Sequence, residues 1–213
     1  AAQSARGEAV EAEKSLALAN REVAGFNPYD AQADAAFMHK IIARFPTPLV
    51  AETSEPPPYR PVFVIGLPRS GTTLVEAMLG AHPQIAPLGE RGTIGFLLAD
   101  TLTHDLPFGA ADIPALVRED TRLLPDLTEG TSLYVDKMPE NYRLVGFLKA
   151  AYPDCRIINL RRDPRDIAQS MWKSHFSGSL LSYAYDLRWM AAKFNLYATA
   201  MDHWRGLFGD AIL

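Results

Sequence analysis

The sequence predicts an α/β fold with a mainly parallel sheet, preceded by an N-terminal helical hairpin. A short continuous apolar run, Val62-Phe63-Val64-Ile65, is followed at once by a glycine-containing loop and a helical apolar pattern. Two further runs, Leu133-Tyr134-Val135 and Ile157-Ile158-Asn159-Leu160, lie downstream, each leading into a polar or charged loop. Short strands apolar on both faces and alternating with helices are the signature of a parallel sheet covered by helices. Such sheets bind ligands at the carboxyl ends of their strands.

Composition narrows the function. The 213 residues are 48% hydrophobic and 22% charged, enough apolar content for a sizeable core. No apolar run approaches the roughly 18 residues of a membrane span. The net charge of −4 argues against a nucleic-acid surface and makes any anion site a local one. One cysteine, Cys155, allows no intrachain disulfide, and the five histidines show no metal-ligand spacing, so no metal is expected. Cys155 reads as a small buried apolar residue.

Taken in order, Ala9, Ala12, Leu16, Ala19 and Val23 recur at steps of three and four, predicting a helix that stops near Gly25. Asn27-Pro28-Tyr29-Asp30 is a turn with an N-cap, and Ala35, Met38, Ile42 and Phe45 repeat the helical spacing. Residues 1–45 therefore form the hairpin. Residues 46–61 carry six of the sixteen prolines and form an extended linker. The α/β domain, residues 62–213, begins with the strand at Val62. After the loop, Leu74, Val75, Met78 and Leu79 give one apolar helical face closed by Gly80 and Pro83. Helical stretches are expected around 140–151 and 164–173, while 93–128 reads only as mixed and helical. The chain stops at Ala211-Ile212-Leu213, which reads as the start of a buried strand, so this domain is expected to be incomplete at its C terminus.

The loop Gly66-Leu67-Pro68-Arg69-Ser70-Gly71-Thr72-Thr73 sits between the first strand and its helix. There its backbone N–H groups converge on a phosphate and the helix dipole favours negative charge. The Gly-x4-Gly spacing is that of a nucleotide P-loop, predicting a P-loop-like three-layer core, but Thr72 stands where the phosphate-binding lysine belongs. That disfavours an ordinary ATPase or P-loop kinase. The basic residue lies inside the loop instead, as Arg69, placed to clamp a 5′-phosphate with the Thr72 and Thr73 hydroxyls as further donors.

Residues Pro61 to Ile85 (PVFVIGLPRSGTTLVEAMLGAHPQI) resemble the 5′-phosphosulfate-binding segment of sulfotransferases that use 3′-phosphoadenosine 5′-phosphosulfate (PAPS). The resemblance continues through Gly89-Glu90-Arg91, Asp136-Lys137-Met138-Pro139 and Leu160-Arg161-Arg162-Asp163-Pro164-Arg165-Asp166. It is nearest to tyrosylprotein sulfotransferases and bacterial tetratricopeptide-linked sulfotransferases. The hairpin is similar to the last helices preceding the catalytic domain in the latter group. The resemblance implies a PAPS-dependent enzyme without a metal, releasing adenosine 3′,5′-bisphosphate.

A second anion site is expected between Arg156 and Lys173, where five basic residues face two aspartates, a local charge of +3. Arg162 directly follows a strand, and Ser170 lies about two turns into the helix that Pro164 opens. In the resembling family an arginine and a serine at this spacing hold the 3′-phosphate of PAPS. The cofactor-binding set is then Arg69, Ser70, Gly71, Thr72, Thr73, Arg162 and Ser170.

Sulfuryl transfer needs a base near the attacking oxygen and positive charge on the leaving phosphate. Glu90 occupies the Gly-Glu position of the family's catalytic base; its plain alternative is a surface glutamate paired with Arg91. Lys137 matches the lysine that stabilises the bridging oxygen; its alternative is a loop lysine paired with Asp136. Glu90, Lys137 and Arg69 form the catalytic set. His82 reads as a helix-end residue and His175 as a weaker base candidate. The aromatics Trp172, Phe176, Tyr183, Tyr185 and Trp189 fit core as well as an acceptor cleft. The acceptor is a hydroxyl of unassigned class, a protein partner is expected on the N-terminal helices, and the location is expected to be cytoplasmic. The rival reading is a non-catalytic phosphate-binding module, which needs neither Glu90 nor Lys137.

Overall fold

In the computed structural model the chain is described over residues 8–51, 57–176, 178 and 180–213; residues 52–56 of the proline-rich linker and 1–7 of the hairpin lie outside the described residues. Helices α1 (Ala9–Phe26) and α2 (Ala31–Ala43) form where the hairpin is expected, but α1 packs mainly on the 3-10 turn Ser182–Tyr185 and α2 on residues 187–208 rather than on each other. Asp30 caps α2, its carboxylate accepting from the N–H groups of Gln32 and Ala33. There follow β1 (Arg60–Gly66), α3 (Thr72–Gly80), β2 (Ile85–Pro87), α4 (Thr93–Leu97), α5 (Ala99–Thr103) and α6 (Ile113–Arg122). The chain continues with β3 (Leu133–Asp136), a 3-10 turn (Pro139–Leu144), α7 (Val145–Ala151), β4 (Arg156–Leu160), α8 (Pro164–Trp172) and α9 (Leu187–Phe208).

The four strands form one parallel sheet in the order β2-β3-β1-β4. The final residues extend it: Ile212 bridges Ile157 in parallel, with Leu213 N–H to Ile157 O at 2.8 Å and Asn159 N–H to Leu213 O at 2.9 Å. Alternation along β1 sorts the core into two faces. Val62 and Val64, with Val135, face α3 through Val75 and Leu79. Phe63 and Ile65 face the larger core, which contains Ile167 and Met171 of α8 and Met190, Met201 and Trp204 of α9. The chain thus leaves β1 for one face of the sheet and β4 for the other. Adjacent strands whose connections diverge leave a crevice at their carboxyl ends, where open α/β sheets bind ligands.

The hairpin shares the larger core, to which α2 and its exit contribute Met38, Ile41 and Phe45. The approach is tight at Gly146 of α7, where a Cβ atom would stand 2.7 Å from the Phe45 ring. Four charges tie the same elements together. Arg143 binds Asp34 of α2 and Glu140, each at 2.6 Å, and the buried Lys193 of α9 reaches the same two carboxylates at 3.4 and 3.3 Å.

The structure corrects one expectation. Leu74 and Met78, read as part of the inward face of α3, are 66% and 67% exposed, and the buried positions are Thr72 and Glu76. Of the aromatics left between core and cleft, Tyr183 and Tyr185 are buried, while Trp172, Phe176 and Trp189 pack partly buried against the core. Cys155 is buried as expected, and burial pushes its thiol up to about 11.

Candidate active site

The phosphate loop lies at the crevice between β1 and β4. Gly66 has φ +151°, and a Cβ there would meet the carbonyl oxygen of Leu160 at 2.7 Å, so only glycine lets the end of β1 lie this close to the end of β4. Gly71, φ +108°, precedes the first residue of α3. At the start of α3 the N–H groups of Leu74 and Val75 are taken by Gly71 O at 3.0 and 3.2 Å, which leaves those of Thr72 and Thr73 as the donors a helix N-terminus offers an anion. Arg69 adopts φ +73°, a left-handed conformation unusual for arginine. It is contacted from α8 and from the residue pair after β4: Arg69 Nε donates to Ser170 Oγ at 2.9 Å, and Arg162 Nη1 donates to Arg69 O at 3.4 Å.

The residues assigned to two anion sites are therefore contiguous across the crevice. Arg162 follows β4, and its exposed side chain also approaches Asp166 at 3.4 Å. Asp163 caps α8 and binds Arg165 at 2.7 Å, so the helix start is salt-bridged through both Arg165 and Arg162, and Arg162 alone of the two also reaches the phosphate loop through Arg69 O. Ser70 and Thr72 are buried and Thr73 is exposed. Ser70 Oγ is buried without a hydrogen-bond partner, a hydroxyl that a phosphate oxygen in the loop would satisfy. The loop thus fits a phosphate group. Beside it a cavity of about 280 Å³ opens against Leu67, Arg162, Ile167, Phe194 and Met201.

An ion pair stands just past the carboxyl end of β3, the strand beside β1. The segment after β2 crosses to β3 through Leu88 N–H to Val135 O at 2.9 Å and Lys137 N–H to Gly89 O at 2.8 Å. These bonds bring Lys137 Nζ to 2.7 Å from Glu90 Oε1. Neither pairing named as the plain alternative is made among the described residues, though Glu90 is an exposed glutamate. Arg91 instead binds the buried Asp120 at 3.0 Å and lies over the Tyr134 ring. Asp136 accepts from Met138 N–H and Asn141 Nδ2, both at 3.1 Å. Burial pushes its carboxyl up to about 6, with the Asn141 hydrogen bond and Arg91 pulling the other way.

Residues 61–213 match the family described as the sulfotransferase family (Sulfotransfer_3). The chain belongs to the sulfotransferase family. Among curated proteins, an uncharacterized protein of Aquifex aeolicus is 31% identical over 173 residues, covering 73% of this chain and 23% of that protein. Nodulation protein NoeE of Sinorhizobium fredii is 32% identical over 126 residues, covering 51% of this chain and 30% of NoeE. The chain spans about a quarter to a third of the length of these two relatives.

Two features of this sulfotransferase-family site were not read from the sequence. One is the short edge strand β2, which sets the path of Gly89 and Glu90. The other is Glu76 of α3, whose Oε1 accepts from Gly89 N–H at 2.7 Å. A glutamate within the apolar run Leu74–Leu79 was the available signal. The histidines stand apart from these contacts: His82 Nδ1 accepts from Gln84 N–H at 3.3 Å, and the exposed His175 lies 3.4 Å from the Tyr185 hydroxyl. Among the described residues no His, Cys, Asp and Glu cluster has the make-up of a metal site, and no helix is long and apolar enough to cross a membrane.

Proposed function

We propose that this chain is the catalytic unit of a PAPS-dependent sulfotransferase of the tetratricopeptide-linked kind, related to tyrosylprotein sulfotransferases, that transfers a sulfuryl group to an acceptor hydroxyl. Family membership supports the reaction class. The observation that carries the residue assignment is the Lys137–Glu90 pair at 2.7 Å, just past the end of the strand that neighbours the one leading into the glycine loop. A module that only binds phosphate needs no such acid and base.

PAPS, when bound, supplies a sulfuryl group already activated by its phosphate leaving group. The 5′-phosphate is held by Arg69, Ser70, Gly71, Thr72 and Thr73, and the 3′-phosphate by Arg162 and Ser170. Glu90 takes the proton of the acceptor hydroxyl as its oxygen bonds to sulfur. The bond between sulfur and the bridging oxygen breaks, its electron pair stays on the phosphate, and Lys137 with Arg69 stabilises that charge. Lys137 therefore turns from Glu90 to the leaving oxygen, which frees the carboxylate to act as base. Acceptors fitting this chemistry are a peptide tyrosine, a sugar hydroxyl or a small phenol. The hairpin of α1 and α2 would join the catalytic unit to a longer helical array that recruits a protein partner.

The test is transfer of 35S from labelled PAPS to phenol, saccharide and tyrosine-peptide panels by a protein containing this chain. Labelled product that disappears with Glu90→Gln supports the reading; labelled product formed equally by the Glu90→Gln and Lys137→Ala variants refutes the residue assignment.

A further inference from the structure

The backbone of Gly89 is held at both its N–H and its carbonyl. Its carbonyl accepts from Lys137 N–H at 2.8 Å, and its N–H donates to Glu76 Oε1 at 2.7 Å. Gly89 itself is left-handed, φ +67°, so the chain turns sharply immediately before Glu90. Glu76 is 9% exposed and lies on α3, the helix whose N-terminus begins in the phosphate loop. A buried carboxylate inside an apolar stretch costs desolvation, and the cost is offset where the group makes a strong hydrogen bond. Here that bond is made to the residue preceding the candidate base.

We propose that Glu76 is the positioning residue of this active site. It fixes the backbone at Gly89 and with it the direction in which the Glu90 side chain leaves the turn, and it ties the loop carrying the base to the helix that receives the phosphate. This rests on Glu90 being the base, as proposed above. Glu76 touches no reacting atom and acts through Gly89. Without it, Gly89 keeps only the Lys137 bond, and the Glu90 carboxylate samples orientations from which it cannot reach the acceptor hydroxyl. Misplacement of a reacting group by about 1 Å is enough to cost about a hundredfold in rate.

The experiment compares Glu76→Ala, Glu76→Gln, Glu90→Gln and the Glu76→Ala/Glu90→Gln double variant. Amide hydrogen exchange of the segment 86–91 requires no acceptor. It should be about tenfold or more faster in Glu76→Ala, with β1 and β3 unchanged, and near wild type in Glu76→Gln, whose amide oxygen still accepts the bond. With 4-nitrophenol as acceptor probe, or water where it is not sulfated, release of adenosine 3′,5′-bisphosphate from PAPS should fall about tenfold in Glu76→Ala. Affinity for adenosine 3′,5′-bisphosphate should stay within about twofold. Adding Glu76→Ala to Glu90→Gln should cost nothing further, because the residue being positioned is already lost. Unchanged exchange in Glu76→Ala, failure of Glu76→Gln to restore it, or a full additional loss in the double variant would overturn the proposal. A Glu90→Gln protein with wild-type turnover would instead overturn the base assignment while leaving the exchange result for Glu76 to stand.

Discussion

Lys137 Nζ lies 2.7 Å from Glu90 Oε1, although 47 residues separate the two in sequence. The lysine side chain is 9% exposed and the glutamate 54%, so the ammonium emerges from the protein interior and the carboxylate faces solvent. This asymmetry suits a division of labour in which the cation meets a phosphate held by the loop and the carboxylate meets an acceptor arriving from outside.

Glu90→Gln should lower turnover by about a hundredfold or more, the usual range for removing a general base, with affinity for adenosine 3′,5′-bisphosphate nearly intact. Because the pair is half exposed on the glutamate side, folding stability should change by no more than about 1 kcal/mol. Steady-state kinetics beside calorimetry and urea unfolding would show turnover within a few-fold of wild type if Glu90 is not the base.

Lys137→Ala should reduce the maximal rate more than it weakens cosubstrate affinity, since charge on the leaving oxygen develops only in the transition state. Arg69→Ala should damage both. Its guanidinium bridges the phosphate loop to Ser170, and without it the strained loop loses a contact from α8. A loss of affinity alone in Lys137→Ala would contradict its role.

Asp136 makes stability depend on pH. Its folded carboxyl titrates near 6 against a usual value of 3.8, so the folded state binds the extra proton between these values. The resulting stabilisation is complete below the unfolded value and is lost as pH rises through about 6. Asp136→Asn removes this titration. Relative to the variant, the wild type should lose on the order of 1–3 kcal/mol of unfolding free energy between about pH 4.5 and pH 7.5. Parallel urea curves for the two proteins at both pH values would exclude this origin.

Gly146→Ala should destabilise by about 1–3 kcal/mol, because the added methyl would meet the Phe45 ring at 2.7 Å. In a Phe45→Leu background the penalty should shrink, a non-additivity that denaturant unfolding of the four proteins would detect. Equal penalties in both backgrounds would show that the contact between α7 and the end of α2 is not what glycine protects.

What the sequence made legible follows physical distance along the chain. The strand, loop and helix from Arg60 to Gly80 were readable because a doubly buried strand and a glycine loop are local patterns. The cap at Asp30 was equally local. Strand β2 was missed because three residues ending in Pro87 carry no strand signal, and proline is tolerated there only because the strand is an edge. Helix α9, the longest, was hidden by aromatic and charged residues whose burial depends on α2, α8 and the 3-10 turn. Leu74 and Met78 were read inward because apolarity alone does not say which face meets the sheet. The Glu90–Lys137 pair required knowing that β2 lies beside β3, and the Arg69–Ser170 contact that β1 lies beside β4.

The central claim is that Arg69, Arg162 and Ser170 complete a site for a nucleotide phosphorylated at both the 3′ and 5′ positions. Calorimetric titration of a protein containing this chain with adenosine 3′,5′-bisphosphate, adenosine 5′-monophosphate, ADP and ATP tests it most directly. A charge-assisted contact contributes roughly 1.5–3 kcal/mol, so the bisphosphate should bind about tenfold to a hundredfold more tightly than the monophosphate and more tightly than ADP or ATP. Arg162→Ala should erase most of that preference and leave monophosphate binding almost unchanged. Equal affinity with and without the 3′-phosphate, or a preference for ATP that survives Arg162→Ala, would contradict the account.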